Sequence, residues 1–292
     1  MENVKVQSGS PAAKPRKHFK FRISQAVLIF IIFVLILIML YPLAMALWNA
    51  FKSDYVYNLS KWYPTLPLRL SNLGDAFSEV WRYVLNTIVV GVVGVSLQLF
   101  IAALASYAFA RMEFPGRKIL FSMVIVLMMV PGVLTLVPSF MLYKSMGLLD
   151  NLLVLILPMA TGGCVGAVFL LNSFFRGIPR DIFEAARIDG ASEFQCFVRM
   201  AVPLCIPILG TIMIMSLVAC WNDYLWPMIT MTKDFDKLTI SAGLVLVFEK
   251  EHSTNMPLNF SGYLIASVPL ILLFVFANRY YVQGLISSSI KL

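Results

Sequence analysis

The sequence predicts an all-α integral membrane protein that crosses the bilayer six times. Three observations carry that expectation: 60% of the 292 residues are apolar and only 13% are charged; mean hydropathy is +0.83; and the apolar residues lie in six long runs without Asp, Glu, Lys or Arg. Soluble domains hold about 45–50% apolar and about 25% charged residues. The balance excludes an ordinary cytosolic enzyme, a small disulfide-stapled secreted module and a disordered adaptor.

The six uncharged runs are 23–51, 83–110, 119–143, 151–175, 200–222 and 252–278. Each matches or exceeds the roughly 20 residues a helix needs to span the hydrocarbon core, and none alternates with the period of a barrel strand. Spans are therefore placed at about 23–51, 83–110, 119–143, 151–175, 200–226 and 258–280, within a membrane domain 23–292. Residues 1–22 form a Ser/Pro/Lys tail expected to be disordered. With Lys14, Arg16, Lys17 and Lys20 ahead of an apolar run too long for a cleaved leader, this end reads as an uncleaved signal anchor.

Six spans put both termini on one side. If that side is cytoplasmic, its segments carry 15 Lys and Arg against 8 on the other, so the net charge of +8 is a topology signal rather than a nucleic-acid one. The four cysteines, Cys164, Cys196, Cys205 and Cys220, form no CxxC pair. With only His18 and His252 besides, no metal-ligand spacing exists along the chain, and the thiols read as buried and inert.

Pro131-Gly132 and Pro138 interrupt the third run, and Pro158, Gly162, Gly163 and Gly166 fill the fourth. Missing donors and small residues predict bent or closely packed helices, which suit either a substrate pathway or plain helix packing.

The connection 176–199 has the punctuation of two short helices. Pro179 suits a first turn, Asp181 complements a helix start and Gly190 supplies a left-handed terminator. Ser192 and Gln195 make a capping box that opens the second helix, ahead of Pro203. On the first helix Phe183, Ala186 and Arg187 share a face, while Glu184 and Ala185 present one carboxylate with little bulk. Such a surface fits a partner's groove; an amphipathic loop lying on the membrane is the alternative.

Glu184-Ala185-Ala186, then Asp189-Gly190-Ala191-Ser192, then Phe197 and Val202-Pro203-Leu204 resemble the EAA loop of ABC-importer permease subunits. Tyr107-Ala108-Phe109-Ala110-Arg111, Phe114-Pro115-Gly116-Arg117-Lys118, Trp221-Asn222-Asp223-Tyr224-Leu225-Trp226-Pro227 and Gln283-Gly284-Leu285 extend the resemblance to the maltose-type (MalG-like) permeases for sugars over about 25–292. The end Ser287-Ser288-Ser289-Ile290-Lys291-Leu292 departs from the Gly-Ala-Val-Lys-Gly-like tail common there.

The resemblance implies the type I ABC-importer permease fold in the bacterial inner membrane and a coupling loop at 176–203. In that loop Glu184, Ala185, Ala186, Asp189, Gly190, Ala191 and Ser192 would face an ATPase. It further implies a second homologous permease subunit, two cytoplasmic ATPases that carry ATP and Mg, and an extracytoplasmic sugar-binding protein. The chain itself contains no GxxxxGK[S/T] loop and no Gly-Lys dipeptide, so it is expected to bind no nucleotide and to be a non-catalytic subunit.

An ion-coupled secondary transporter is the competing class, but it needs ionisable residues inside spans, and Asp223 is the lone candidate. A membrane enzyme would need a carboxylate pair, or a nucleophile beside a base, within the spans. For a sugar, hydrogen-bonding and aromatic side chains are the natural contacts. The candidates are Asn86, Ser106, Asn172, Trp221, Asn222, Asp223 and Trp226, although span-end Asn and Trp residues also serve as interface anchors.

Overall fold

The computed structural model describes the backbone of residues 23–289 and side chains of 25–277. The basic tail 1–22 and the end 290–292 lie outside the described residues, as do the side chains of Gln283-Gly284-Leu285. The described chain is helical, with no strand among those residues. It divides into two units at Met45/Ala46. The first holds most of α1 (Ile23–Ala50), a helix apolar on every side, as a membrane span needs to be.

The second unit is built around α3 (Ser71–Arg111), a helix of 41 residues. At 1.5 Å per residue it is about 60 Å long, twice the hydrocarbon thickness, so it extends well beyond the uncharged run 83–110. Before it stands the short α2 (Asp54–Leu59). Four helices pack on α3: α6 (Leu153–Gly162), α7 (Cys164–Gly177), α11 (Ile206–Asn222) and α15 (Met256–Ser289).

Close approach is made possible where side chains vanish. A methyl group added at Gly163 would stand 2.5 Å from the buried Gln98 amide, whereas Gly162 and Gly166 have open space beside them. Of the glycines in that run, Gly163 is thus the one that seats α3 against α6 and α7.

Two clusters line α3. One gathers Ala76, Val80 and Tyr83 with Val154, Leu238 and Phe248; the other gathers Ala102, Ala103 and Tyr107 with Leu171, Phe175, Phe183 and Phe197.

The third run is not a straight span. It folds as α4 (Arg117–Leu127) and α5 (Gly132–Ser145), bent by 98° at Pro131. Pro131 has no N–H to donate and an extended ψ of 128°, which starts α5 in a new direction. The fifth run bends by 74° at Cys205, between Pro203 and Pro207. There α9 (Glu193–Cys196), a π-helical turn Phe197–Ala201 and α10 (Val202–Leu204) lead into α11. Among the described residues four helices are long and apolar enough to cross a membrane, and up to six spans result when each bent pair counts as one.

Beyond α11 the chain makes α12 (Leu225–Thr230), α13 (Ile240–Gly243), a π-helical turn Leu244–Phe248 and α14 (Glu249–Glu251) before entering α15. Asp150, at φ +60°, fastens this region. Its carboxylate accepts from the backbone N–H of Thr232 (2.6 Å), Lys233 (2.7 Å) and Asp234 (3.3 Å) and from the Thr232 hydroxyl. Burial works against its charged form, but these donors prevail and hold its pKa below the ordinary value.

Candidate functional site

The loop that links α7 to α11 carries α8 (Arg180–Ile188), and its local chemistry fixes its shape. Pro179 stands one residue ahead of the helix rather than in its first turn, with an extended ψ of 139°. Asp181 occupies the first turn, where the helix dipole favours an anion. The helix ends in a Schellman motif: Gly190 at φ +84° donates its N–H to Arg187 O (3.0 Å), and Ala191 donates to Ala186 O (2.9 Å). Ser192 then caps α9 in a reciprocal box, its hydroxyl accepting from Gln195 N while Gln195 Oε1 accepts from Ser192 N.

The loop is clamped to the end of α3. Phe183 is 2% exposed among Tyr107, Phe175 and Phe197, an anchorage worth roughly 1.5–3 kcal/mol. Tyr107 donates its hydroxyl to Glu193 Oε2 (3.0 Å), and Glu193 Oε1 pairs with Arg187 (2.8 Å). The Arg187 hydrogen bond, followed by that of Tyr107, holds the Glu193 carboxyl below its ordinary pKa despite some burial. Arg111 donates to the carbonyls of Phe175 and Ile178, closing the end of α7, and its guanidinium stacks 4.4 Å above the Phe183 ring. The helix–turn–helix is therefore fastened to α3 and α7.

Its outer face is left open. Glu184, Ala185 and Asp189 are exposed, and Ile188 is 86% exposed. Glu184 lines a polar recess of about 490 Å³ with Arg111, Glu113, Arg117, Arg180 and Arg187. An apolar tip beside a carboxylate, on a rigid base, is chemically suited to docking into a groove.

The pathway candidates separate into two groups. Asn86 donates to the carbonyls of Asp236 and Leu238, Asn172 to Ser106 O, Trp221 to Ala266 O and Asn222 to Val218 O. Ser106 donates to Ala102 O and Val168 O. These amide, indole and hydroxyl donors are spent on backbone carbonyls. Asp223 and Trp226 instead share the wall of a cavity of about 310 Å³. Asp223 Oδ1 caps α12 at Trp226 N (3.2 Å), and the Trp226 indole donates to Val154 O (2.7 Å).

Thr135 and Ser139 of α5 and Thr239 complete the polar lining, between apolar walls from Val90, Leu155 and Met159. The spacing of charged residues gives no sign of these hydroxyls; the Pro131-Gly132 bend that turns α5 into the cavity is their only trace in the sequence.

A second cavity of about 340 Å³ lies further along α3, between Gln98, Gly163, Gly166 and Ser216. Gln98 is 1% exposed and donates to Ser216 Oγ (3.0 Å), while its Oε1 has no partner. A buried amide with a free acceptor is costly unless something polar visits it. No motif pointed to Gln98.

Residues 98–287 match the model of the family described as binding-protein-dependent transport system inner membrane component. The chain belongs to this family. It is 32% identical to the arabinooligosaccharides transport system permease protein AraQ of Bacillus subtilis, over 73% of this chain and 75% of that one. It is 30% identical to the probable ABC transporter permease protein YurM of the same organism, over 100% and 96%. The alpha-glucoside transport system permease protein AglG of Rhizobium meliloti is 34% identical, over 76% of this chain and 60% of that one. A crystal structure of a bacterial ABC transporter involved in the import of the acidic polysaccharide alginate contains a chain of the same fold. The TM-score is 0.78 at 22% identity, covering 92% of this chain and 100% of that one. The EAA-like loop, α11 and the wall of the first cavity apart from Val90 all lie inside the matched segment.

Proposed function

We propose that this chain is one of two permease subunits of an ABC importer for a sugar or oligosaccharide, coupled through α8 to a pair of separate ATPases and fed by an extracytoplasmic sugar-binding protein. The observation that carries the reading is the clamped helix–glycine–helix at one end of α3, with an open face that fits a partner. The names of the relatives, which include transporters of arabinooligosaccharides and alpha-glucosides, support the substrate class. The first cavity supports it too: an indole, a carboxylate and three hydroxyls around an apolar space suit a sugar's two kinds of surface.

The test is sugar uptake by the reconstituted complex. Asp223→Asn keeps the acceptor that caps α12 but removes the charge, so insertion and assembly are expected to stay at wild-type levels. Uptake is expected to fall about ten-fold, the equivalent of one charge-assisted hydrogen bond. Uptake by the purified chain alone, driven by a proton or sodium gradient without an ATPase, would sink the proposal in favour of a secondary transporter.

The excess of Lys and Arg, 15 against 8, supports cytoplasmic termini and, with them, an α8 that faces the ATPases. A cysteine at Leu66, which is 82% exposed, is expected to react with an impermeant reagent outside intact cells. Cysteines at Ser10 and Ser289 are expected to be shielded, and labelling of either from outside overturns the orientation.

A further inference from the structure

At the end of α3 opposite the coupling loop, three ligand-bearing side chains meet from distant parts of the chain. Glu79 lies on α3, about 48 Å along the helix from Arg111. Glu251 ends α14 and His252 follows it. One ligand atom from each lies within 4.8 Å of the other two. His252 Nε2 stands 2.7 Å from Glu79 Oε2, across 173 positions of sequence.

The imidazole is held in place rather than free to swing. Its ring packs edge-on against Phe248 at 4.8 Å between centroids, and Phe248 is 1% exposed, seated over Gly262. The His252 carbonyl accepts from Asn259 Nδ2 (2.8 Å) and Asn255 N (2.9 Å). The carboxylates are different: both glutamates are exposed and can change rotamer at little cost.

With a neutral imidazole the trio carries two negative charges side by side. A protonated imidazole neutralises one of them and leaves the other in mutual repulsion with its neighbour. A divalent cation neutralises both, and the donor set of one imidazole nitrogen and two carboxylate oxygens suits borderline transition ions rather than Ca²⁺ or Mg²⁺, which prefer oxygen alone.

We infer that Glu79, Glu251 and His252 form a binding site for a divalent transition-metal ion, with Zn²⁺ the best fit, that ties the end of α3 to the turn leading into α15. Tetrahedral Zn²⁺ with oxygen and nitrogen ligands needs donor atoms about 3.4 Å apart, so the Glu79–His252 contact, 2.7 Å in the bare chain, opens to admit the ion while the Glu251 carboxylate, within 4.8 Å of both, turns in to meet it. Water completes the fourth position. Zn²⁺ thereby adds a staple beside the apolar packing of Val80 and Tyr83 against Phe248, on the face predicted to be extracytoplasmic.

The test uses the full chain in lipid nanodiscs and needs neither transport nor partners. After incubation with Zn²⁺ and gel filtration, the wild type is expected to retain one ion per chain. Glu251→Gln leaves the Glu79–His252 pair in place, so a loss of affinity of about ten-fold or more in that variant reports ligation rather than misfolding. His252→Gln is expected to remove the imidazole signature from the zinc X-ray absorption spectrum. Co²⁺ substitution separates this site from the four cysteines, since oxygen and nitrogen ligation gives no thiolate charge-transfer band. Failure to retain zinc, retention undiminished in both variants, or a thiolate band on the bound cobalt overturns the site.

Discussion

Gly190→Val is expected to insert normally, to capture little ATPase and to import no sugar. Nothing lies within 4 Å of the position a Cβ would take at Gly190, so the effect comes from the backbone and not from a clash with neighbours. At φ +84° a β-branched residue costs roughly 1–2 kcal/mol, enough to undo the Schellman turn and swing α9 away from Ser192 onward. Asparagine tolerates the left-handed region, so Gly190→Asn is expected to restore most of the binding. Glu184→Lys reaches the same loss by another route. It leaves the turn intact but puts a fifth cation beside Arg111, Arg117, Arg180 and Arg187, with only Glu113 and Glu193 left to offset them, so the recess repels a basic partner. The measurement is ATPase pull-down alongside uptake for all three variants. Wild-type binding and transport by both Gly190→Val and Glu184→Lys would mean that α8 is only a loop lying on the membrane.

Lys52→Met frees the segment that follows the first span. Lys52 is wholly buried, and its ammonium donates to the carbonyls of Ser60 (2.5 Å) and Tyr63 (2.7 Å). Asn72 reinforces the same point by donating to the carbonyls of Ala50 and Lys52 (2.8 Å each). Removing the ammonium relieves the cost of burying a charge, but it strands the carbonyl of the buried Ser60, at about 1–3 kcal/mol, and releases that of the exposed Tyr63. The segment can escape that cost only by opening to water. Amide hydrogen exchange across residues 53–63 is therefore expected to rise about 100-fold, the equivalent of about 2.7 kcal/mol of local stability, with the helices around α3 unchanged. Unaltered protection in that segment would show that Lys52 does not hold it.

The sequence by itself determined that the protein is an all-helical membrane protein, and it determined the loop 176–203 nearly residue by residue. Both readings rest on local physics. Transfer of a helix into lipid sums over consecutive residues, so uncharged runs reveal spans directly. The loop's caps and its turn are set within four or five positions: Asp181 in the first turn, Gly190 in the left-handed region, Ser192 with Gln195. Only the tertiary structure decided what was not local. Asn86, Asn172 and Trp221 read from composition as possible sugar contacts, yet their donors serve carbonyls on other elements, a requirement invisible until the helices are packed. Gln98 gains its meaning from Gly163, where two helices approach closely enough to bury an amide with one oxygen unpaired. The bends of 98° and 74° depend on how neighbours receive the backbone groups that proline leaves unmatched, so the prolines mark where a helix turns but not how far. Glu79 and His252 show the limit most plainly. Metal ligands are legible from spacing when one hairpin or helix supplies them, and here they are supplied by two elements that meet only because α3 runs far past the membrane core to reach the turn before α15.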